Sequence, residues 1–443
     1  MDIENDVLRR VSPSPTQRAR VARVAGELLS EVTEASKSEG EAIECMLVGS
    51  VAKDTYTHPP DIDIFILFEA STSREHLEEA GLRIGRKVLT NGEERYAEHP
   101  YIHGRKEGFD VDLVPCFKID SPVGLKSAVD RTPFHTRYVE AKMSTSQKQE
   151  VRILKQFMKG VGVYGAEAKV QGFSGYLVEL LILKYRSFQG TLEAASNWNH
   201  GTVLDLGERG VEFDSPLIFY DPVDASRNVA SAVSRNAFAL FVQAAIEYLR
   251  KPSPAFFFPR KQKIWSMTRV KKELTRRRTR ILAVRFPRPD LIDDDLYPQA
   301  RRSIDGLGAL LSSGGYRILD RTVCVGARRV TLIFELEVDR LPLVQEHVGP
   351  PSWLPNSREF LKKWSGRAVS GPFLSDGRWM AIVERKHSEA AAFLRAEAGK
   401  AALGSGFKDV ARMKVLSHSQ ALNAGLQQEF TQHLDRTLPW KRA

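Results

Sequence analysis

The chain has 443 residues, about three times an ordinary domain of ~150 residues, so several cores are expected. With 42% hydrophobic and 27% charged residues, 31 glycines and 22 prolines, its composition excludes disordered, collagen-like and low-complexity proteins. A net charge of +10 points to a polyanionic partner, while three widely separated cysteines (Cys45, Cys116, Cys324) exclude a disulfide framework or a cysteine-based zinc site and fit a reducing compartment.

The acidic start, Met1-Asp2-Ile3-Glu4-Asn5-Asp6, has no apolar stretch behind it, which predicts no secretory signal. Residues 17–37 carry apolar side chains at helical spacing. Residues 43–48 read as a short buried strand running into Gly49-Ser50, and residues 61–68 (DIDIFILF) as a second strand after a polar turn with Pro59 and Pro60. A charged helix over residues 73–89 and a strand over 108–114, stopped by Pro115, complete an α/β unit.

From residue 145 to about 185 the pattern is helical, with Val151, Leu154, Phe157 and Met158 in one stripe that Gly160 and Gly162 end. Ser174 is positioned to cap a mostly apolar helix over 176–185, interrupted by Glu179, and residues 229–249 predict a further long helix. Neither apolar run approaches the ~20 uncharged residues of a membrane span, so a soluble, cytoplasmic protein with no membrane partner is expected. Prolines 252, 254 and 259 mark a boundary, after which residues 260–280 hold ten basic residues against one acid, Glu273. Strands at 281–286, 317–325 and 329–338 and helices around 297–311 and 357–364 predict a smaller α+β module.

The chemistry concentrates in the first part. In a strand, residues two apart share a face, so Asp61 and Asp63 stand together while Ile62 and Ile64 pack beneath. Two such carboxylates need a compensating cation and suit Mg²⁺. The run Phe109-Asp110-Val111-Asp112 brings further carboxylates on another strand, of which one completes the cluster and one flanks it. Gly49 lets the backbone approach a phosphate, the Ser50 hydroxyl donates to it, and Lys53 reaches the same oxygens as a point charge.

Residues 47–68 (LVGSVAKDTYTHPPDIDIFILF) resemble the signature of polymerase-β-type nucleotidyltransferases. More narrowly, HPYIH at 99–103, GFDVDLVPCF at 108–117, SAVDRTPFH at 127–135, Leu154-Lys155 with GVGVYG at 160–165, GFSGY at 172–176 and Asp221-Pro-Val-Asp224 with Arg227-Asn-Val-Ala230 resemble archaeal-type (class I) CCA-adding enzymes. The motifs occur in the family's order across roughly residues 40–260 and more loosely beyond.

The resemblance implies an α+β multidomain fold. Its parts would be a polymerase-β-like nucleotidyltransferase head over 1–143, a helical nucleotide-pocket domain over 144–258, a body from 259–285 with 375–443, and a small α+β tail over 286–374 that binds tRNA. It implies template-independent addition and repair of the tRNA 3′-terminal CCA from CTP and ATP, with pyrophosphate released. Asp61, Asp63 and Asp112 would be the catalytic carboxylates holding two Mg²⁺ ions; Gly49 and Ser50 would bind the triphosphate. Lys53, where relatives commonly carry arginine, keeps the charge but loses the fork. His135, Lys155 and Tyr164 would contact the nucleotide and its phosphates, and Arg227 would help select the base. The partners implied are CTP, ATP and the tRNA acceptor arm and 3′ end, with Arg276, Arg277 and Arg278 in the basic run as tRNA contacts and homodimerisation left open. The same carboxylates would serve a poly(A)-adding or oligoadenylate-forming relative.

Overall fold

Two helices open the chain: α1 (Ile3–Val11) and α2 (Pro15–Ser38). Ser14 caps the second, accepting from the Gln17 amide while Gln17 reaches back to its own, and Val21, Val24, Leu28 and Val32 form its buried stripe. Next come β1 (Glu44–Val48), α3 (Gly49–Ala52), β2 (Ile62–Glu69), α4 (Arg74–Val88), β3 (Glu93–Tyr96), β4 (Pro100–Lys106) and β5 (Phe109–Lys118). The computed structural model describes residues 3–41, 43–96, 98–122 and 124–442; Met1 and Asp2 of the acidic start lie outside the described residues.

The five strands form one sheet in the order β1-β2-β5-β4-β3, with β2 and β5 parallel and the other neighbours antiparallel. Ile62, Ile64, Ile66 and Phe68 face one side and join the core built by α2 and α4, whereas Phe65 and Leu67 face the other, against Val48, Val114 and Cys116. The odd-numbered face therefore carries Asp63.

β5 runs four residues past the predicted stop, with Pro115 opposite Ile66 of β2. β4 pairs with β5 only as far as Leu113, so beyond it one side of the strand has no ladder. Successive amides in a strand point to opposite sides, and the Phe117 amide turns to the Asp130 carboxylate at 2.9 Å. Pro115 shares that side and would have no ladder bond to give, which is why the strand tolerates it.

Beyond the sheet come α5 (Thr132–Lys142), α6 (Thr145–Val161), α7 (Gly175–Tyr185), α8 (Phe188–Ala195), β6 (Thr202–Leu204), β7 (Leu217–Asp221), β8 (Asp224–Asn228) and α9 (Arg235–Arg250). The stripe of α6 is buried, and Gly162 ends that helix at φ 90°. Ser174 does cap α7, accepting from the Leu177 amide. The helix predicted from residue 229 begins only at Arg235, because β8 pairs with β7 just upstream and Ser234 caps the start.

Phe157 centres an aromatic cluster with Phe188, Phe241, Tyr248, Phe256 and Phe257. Trp440 joins it from the far end of the chain, stacking on Phe256 at 5.2 Å and donating to Glu247 at 2.9 Å. The first structural unit accordingly runs to Lys261 and takes up the segment from Leu438, while Gln262–Thr437 form a second unit.

The second unit holds α10 (Met267–Arg277), β9 (Arg280–Pro287), α11 (Asp293–Ser313), β10 (Ile318–Val325), β11 (Arg329–Leu336), β12 (Val344–Pro351), α12 (Ser357–Trp364), β13 (Ser370–Ser375), β14 (Arg378–Glu384), α13 (Ala390–Glu397), β15 (Lys414–Leu416), α14 (His418–Leu422) and α15 (Gln427–Leu434). One sheet runs β10-β11-β9-β15 and the other β12-β14-β13. The expected line between residues 285 and 286 falls within β9, which ladders with β11 along its whole length and with β15 on its other edge. The second sheet escaped sequence reading because its satellite core consists of little more than Phe360, Ala381 and Val383. The α+β class expected from the sequence is the one observed.

Candidate active site

Asp63 lies directly opposite Asp112 in the parallel β2–β5 ladder, and Asp61 immediately precedes β2. Burial, then Asp112 and Asp61, push the Asp63 carboxyl up to about 7, with Lys53 opposing. Asp61 is likewise raised, by burial and then by Asp110 and Asp112. Three acids thus share one field at the head of two parallel strands. Asp110 acts on Asp61 as well but is itself held at 2.8 Å by Arg105, which lowers its pKa. Asp112 is instead bound by His103, across the β4–β5 ladder, with Nδ1 at 2.6 Å from the carboxylate. A cleft of about 780 Å³ opens here, lined by Asp61, His103, Asp110 and Asp112 with Arg95 and Arg105 along its rim.

Gly49 is where β1 turns into α3. Its φ is +71°, and a Cβ there would stand 2.2 Å from the Asp63 Oδ2. Only glycine combines that backbone with that approach. Ser50 follows at the start of α3, half-buried, and its hydroxyl has no partner among the described residues.

Lys53 does not project freely. It is 6% exposed and its Nζ lies 2.6 Å from Glu179 Oε2, over the Tyr176 ring. Lys155, from α6, approaches the other oxygen of Glu179 at 3.6 Å and donates to the Thr55 carbonyl at 3.1 Å. Burial lowers its pKa to about 8. Thr55 itself donates its hydroxyl to Glu179 at 2.5 Å. Tyr164 is close by, its hydroxyl 3.2 Å from where a Gly175 Cβ would be, with the Lys159 ammonium over its ring. Lys159 also lies within the field of Asp61, whose charge raises its pKa against a larger lowering by burial.

A second cluster gathers around Asp221, which is 1% exposed. One of its oxygens meets His135 Nε2 at 2.8 Å and Arg227 Nη1 at 2.8 Å; the other accepts from Tyr176 at 3.2 Å and from the Val223 amide at 3.1 Å. His135 stacks on Tyr176 with centroids 3.9 Å apart. Burial lowers the His135 pKa, against the pull of Asp221. The expected His135 and Arg227 therefore share one anchor, and Tyr176 links that anchor to the lysine cluster.

Sequence reasoning did not single out His103, Thr55, Glu179, Tyr176 or Asp221 as site residues. Glu179 had a readable signal, a lone carboxylate inside an apolar run, and Asp221 and Tyr176 belong to motifs that carry the family resemblance. Of the basic run, Arg276 and Arg277 both bond Glu273, the run's single acid, holding it at about 2. Arg277 continues to the buried Glu335 at 3.2 Å, whereas Arg276 and Arg278 are exposed.

The sequence matches three family models in succession: a nucleotidyltransferase domain over residues 29–135, a tRNA nucleotidyltransferase second domain over 149–258, and a CCA-adding enzyme C-terminal domain over 277–418. A CCA-adding enzyme of Haloarcula marismortui is 38% identical over 410 residues, 88% of this chain and 88% of that protein. One from Halorubrum lacusprofundi is 39% identical over 426 residues, 91% and 92% of the two chains. The chain belongs to the CCA-adding enzyme family. As such a nucleotidyltransferase it adds CCA to tRNA without a nucleic-acid template. Methanosarcina barkeri has a CCA-adding enzyme 38% identical over 408 residues, 90% of this chain and 89% of that one.

Nucleotidyltransferases of this superfamily use divalent metal ions. Among the described residues no three His, Cys, Asp or Glu side chains are already gathered closely enough to hold one. Carboxylates without a cation repel, and Mg²⁺ is usually held by one or two of them with waters and substrate phosphates completing the shell. The all-oxygen donor set fits a hard divalent cation, and the raised Asp63 pKa marks a place where positive charge is wanted.

Among the described residues, no helix is long and apolar enough to cross a membrane.

Proposed function

We propose that Asp61, Asp63 and Asp112 hold two Mg²⁺ ions and that CTP and ATP bind between them and the Lys53–Lys155 and Asp221 clusters. The observation that carries this reading is the register of Asp63 against Asp112, with Asp63 packed under Gly49-Ser50. When bound, the ions make the RNA 3′-hydroxyl more acidic and neutralise the triphosphate and departing pyrophosphate.

The protein's own groups do the rest. The Ser50 hydroxyl donates to a phosphate oxygen, and Lys53 and Lys155 bring two ammonium groups to the same anion. Tyr164 and His135 form the wall against which the nucleotide lies. Arg227, oriented by Asp221, presents its fork to the base, where cytosine and adenine offer different edges. A base that leaves those donors unpaired is disfavoured, which gives selection without a template. The tRNA acceptor arm and 3′ end supply the acceptor hydroxyl, and Arg276 and Arg278 support contacts to tRNA phosphates. A cytoplasmic location suits this substrate.

The test is incorporation from labelled nucleotides into tRNA lacking its CCA. Two C residues and then one A are expected; UTP incorporation or a long A tract would assign a different transferase. Asp63→Ala should abolish incorporation while tRNA affinity stays within about threefold, since phosphate contacts elsewhere carry that affinity.

A further inference from the structure

Glu179 is the one ionisable residue among Leu177, Val178, Leu180, Leu181, Ile182 and Leu183 of α7, and it is 1% exposed. A carboxylate there is costly unless its oxygens are bonded. They are: Lys53 on one oxygen, Thr55 and Lys155 on the other. One anion thus bonds two buried ammonium groups directly, and the Asp63 carboxyl also lies in the field of Lys53.

We propose that Glu179 is a positioning residue for the triphosphate, holding the Lys53 and Lys155 ammonium groups side by side so that both meet the nucleotide's phosphates. The inference rests on the reading of this site as the nucleotide pocket. A lysine is a point charge on a flexible stem and lacks the fork by which arginine fixes its own geometry. Lys53 therefore needs an external anchor, and Glu179 gives it one at 2.6 Å. Gly175 lets the start of α7 come close to Tyr164, whose hydroxyl a Cβ there would meet at 3.2 Å. The same carboxylate offsets the repulsion between the two amines. Lys155 is faced by Glu179 from α7, by Lys53 from the turn after α3 and by Lys159 from its own helix, with Tyr164 beside it, so Glu179 supplies the principal charge favouring its protonated form.

The experiment uses the full chain with Mg²⁺ and measures equilibrium binding of CTP, ATP and inorganic tripolyphosphate to wild type and Glu179→Gln. Glutamine keeps the shape and removes the charge. All three probes should weaken by the same factor, about tenfold, as expected for loss of charge-assisted contacts. In turnover the loss should appear in KM more than in kcat. It should also grow as pH rises from about 7 to about 9, because the lysine, its pKa already depressed, loses its proton earlier without the carboxylate.

A folded Glu179→Gln protein with unchanged binding overturns the proposal, and so does a loss confined to CTP or to ATP, which would place Glu179 on the base side. Wild type that fails to bind CTP overturns the reading of the pocket and the inference with it. If the glutamine variant gives no melting transition, Thr55→Val carries the test. It removes one bond to the carboxylate and should weaken tripolyphosphate about threefold; unchanged affinity there likewise overturns the proposal.

Discussion

Gly49 shows how little room the backbone leaves beside Asp63. A left-handed backbone and a carboxylate oxygen 2.2 Å from the Cβ position are two separate demands that alanine cannot meet. Gly49→Ala should cost about 1–3 kcal/mol of stability in a denaturant titration, and it should lower incorporation far more than a surface change because it displaces Asp63. Asp63 gives a pH signature. Its folded pKa of about 7 exceeds the ordinary value of 3.8, so the folded state keeps this proton longer than the unfolded one. Its contribution is complete below pH 3.8 and is lost as pH rises through about 7. In EDTA at about pH 8, Asp63→Asn should therefore be more stable than wild type, by about 2 kcal/mol, although it should lose activity. Mg²⁺ should stabilise wild type and leave the variant unchanged. At this scale the carboxylates were legible because strand alternation is a local pattern. Their partners were not, since Glu179 lies 126 residues from Lys53 and Asp221 lies 86 from His135.

Whole elements were legible where their ends carry chemistry. Ser73 and Ser174 each cap a helix expected there, whereas α10, capped by Ser266, went unread inside the basic run; α12 spans the residues expected of it without a side-chain cap. Pro115 misled because a proline's meaning in a strand depends on which edge lacks a neighbour, and that is set by where β4 ends. The turn between α3 and β2 is held from α6 as well as by its own backbone bonds to α3. Arg152, 1% exposed, donates to the Tyr56 carbonyl at 2.9 Å and to the carbonyl and carboxylate of Asp54, each at 2.6 Å. Arg152→Met should destabilise the first unit by about 3 kcal/mol through the abandoned carbonyls. By freeing Thr55 it should also raise KM for CTP and ATP alike, measurable in initial-rate assays.

For the molecule as a whole, the overall α+β class and the helical middle were readable from the changes in hydrophobic period. The pairing of β9 with β11 and β15 was not, because strand partners separated by dozens of residues leave no local trace. Charge was readable only as a sum. The basic run splits into Arg277, tied to Glu335, and the exposed Arg276 and Arg278. Charge reversal at Arg276 or Arg278 should weaken tRNA binding and reduce the slope of log affinity against log salt by about one per lost phosphate contact. Arg277→Glu should instead lower the melting temperature, because it places a second acid against Glu335.

The segment from Leu438 returns to the first unit across the entire second one. During translation, Phe256 must therefore wait for its stacking partner until Gln262–Thr437 have been made. A nascent chain halted anywhere within that stretch would display helices α6 and α9 with the Trp440 latch still missing.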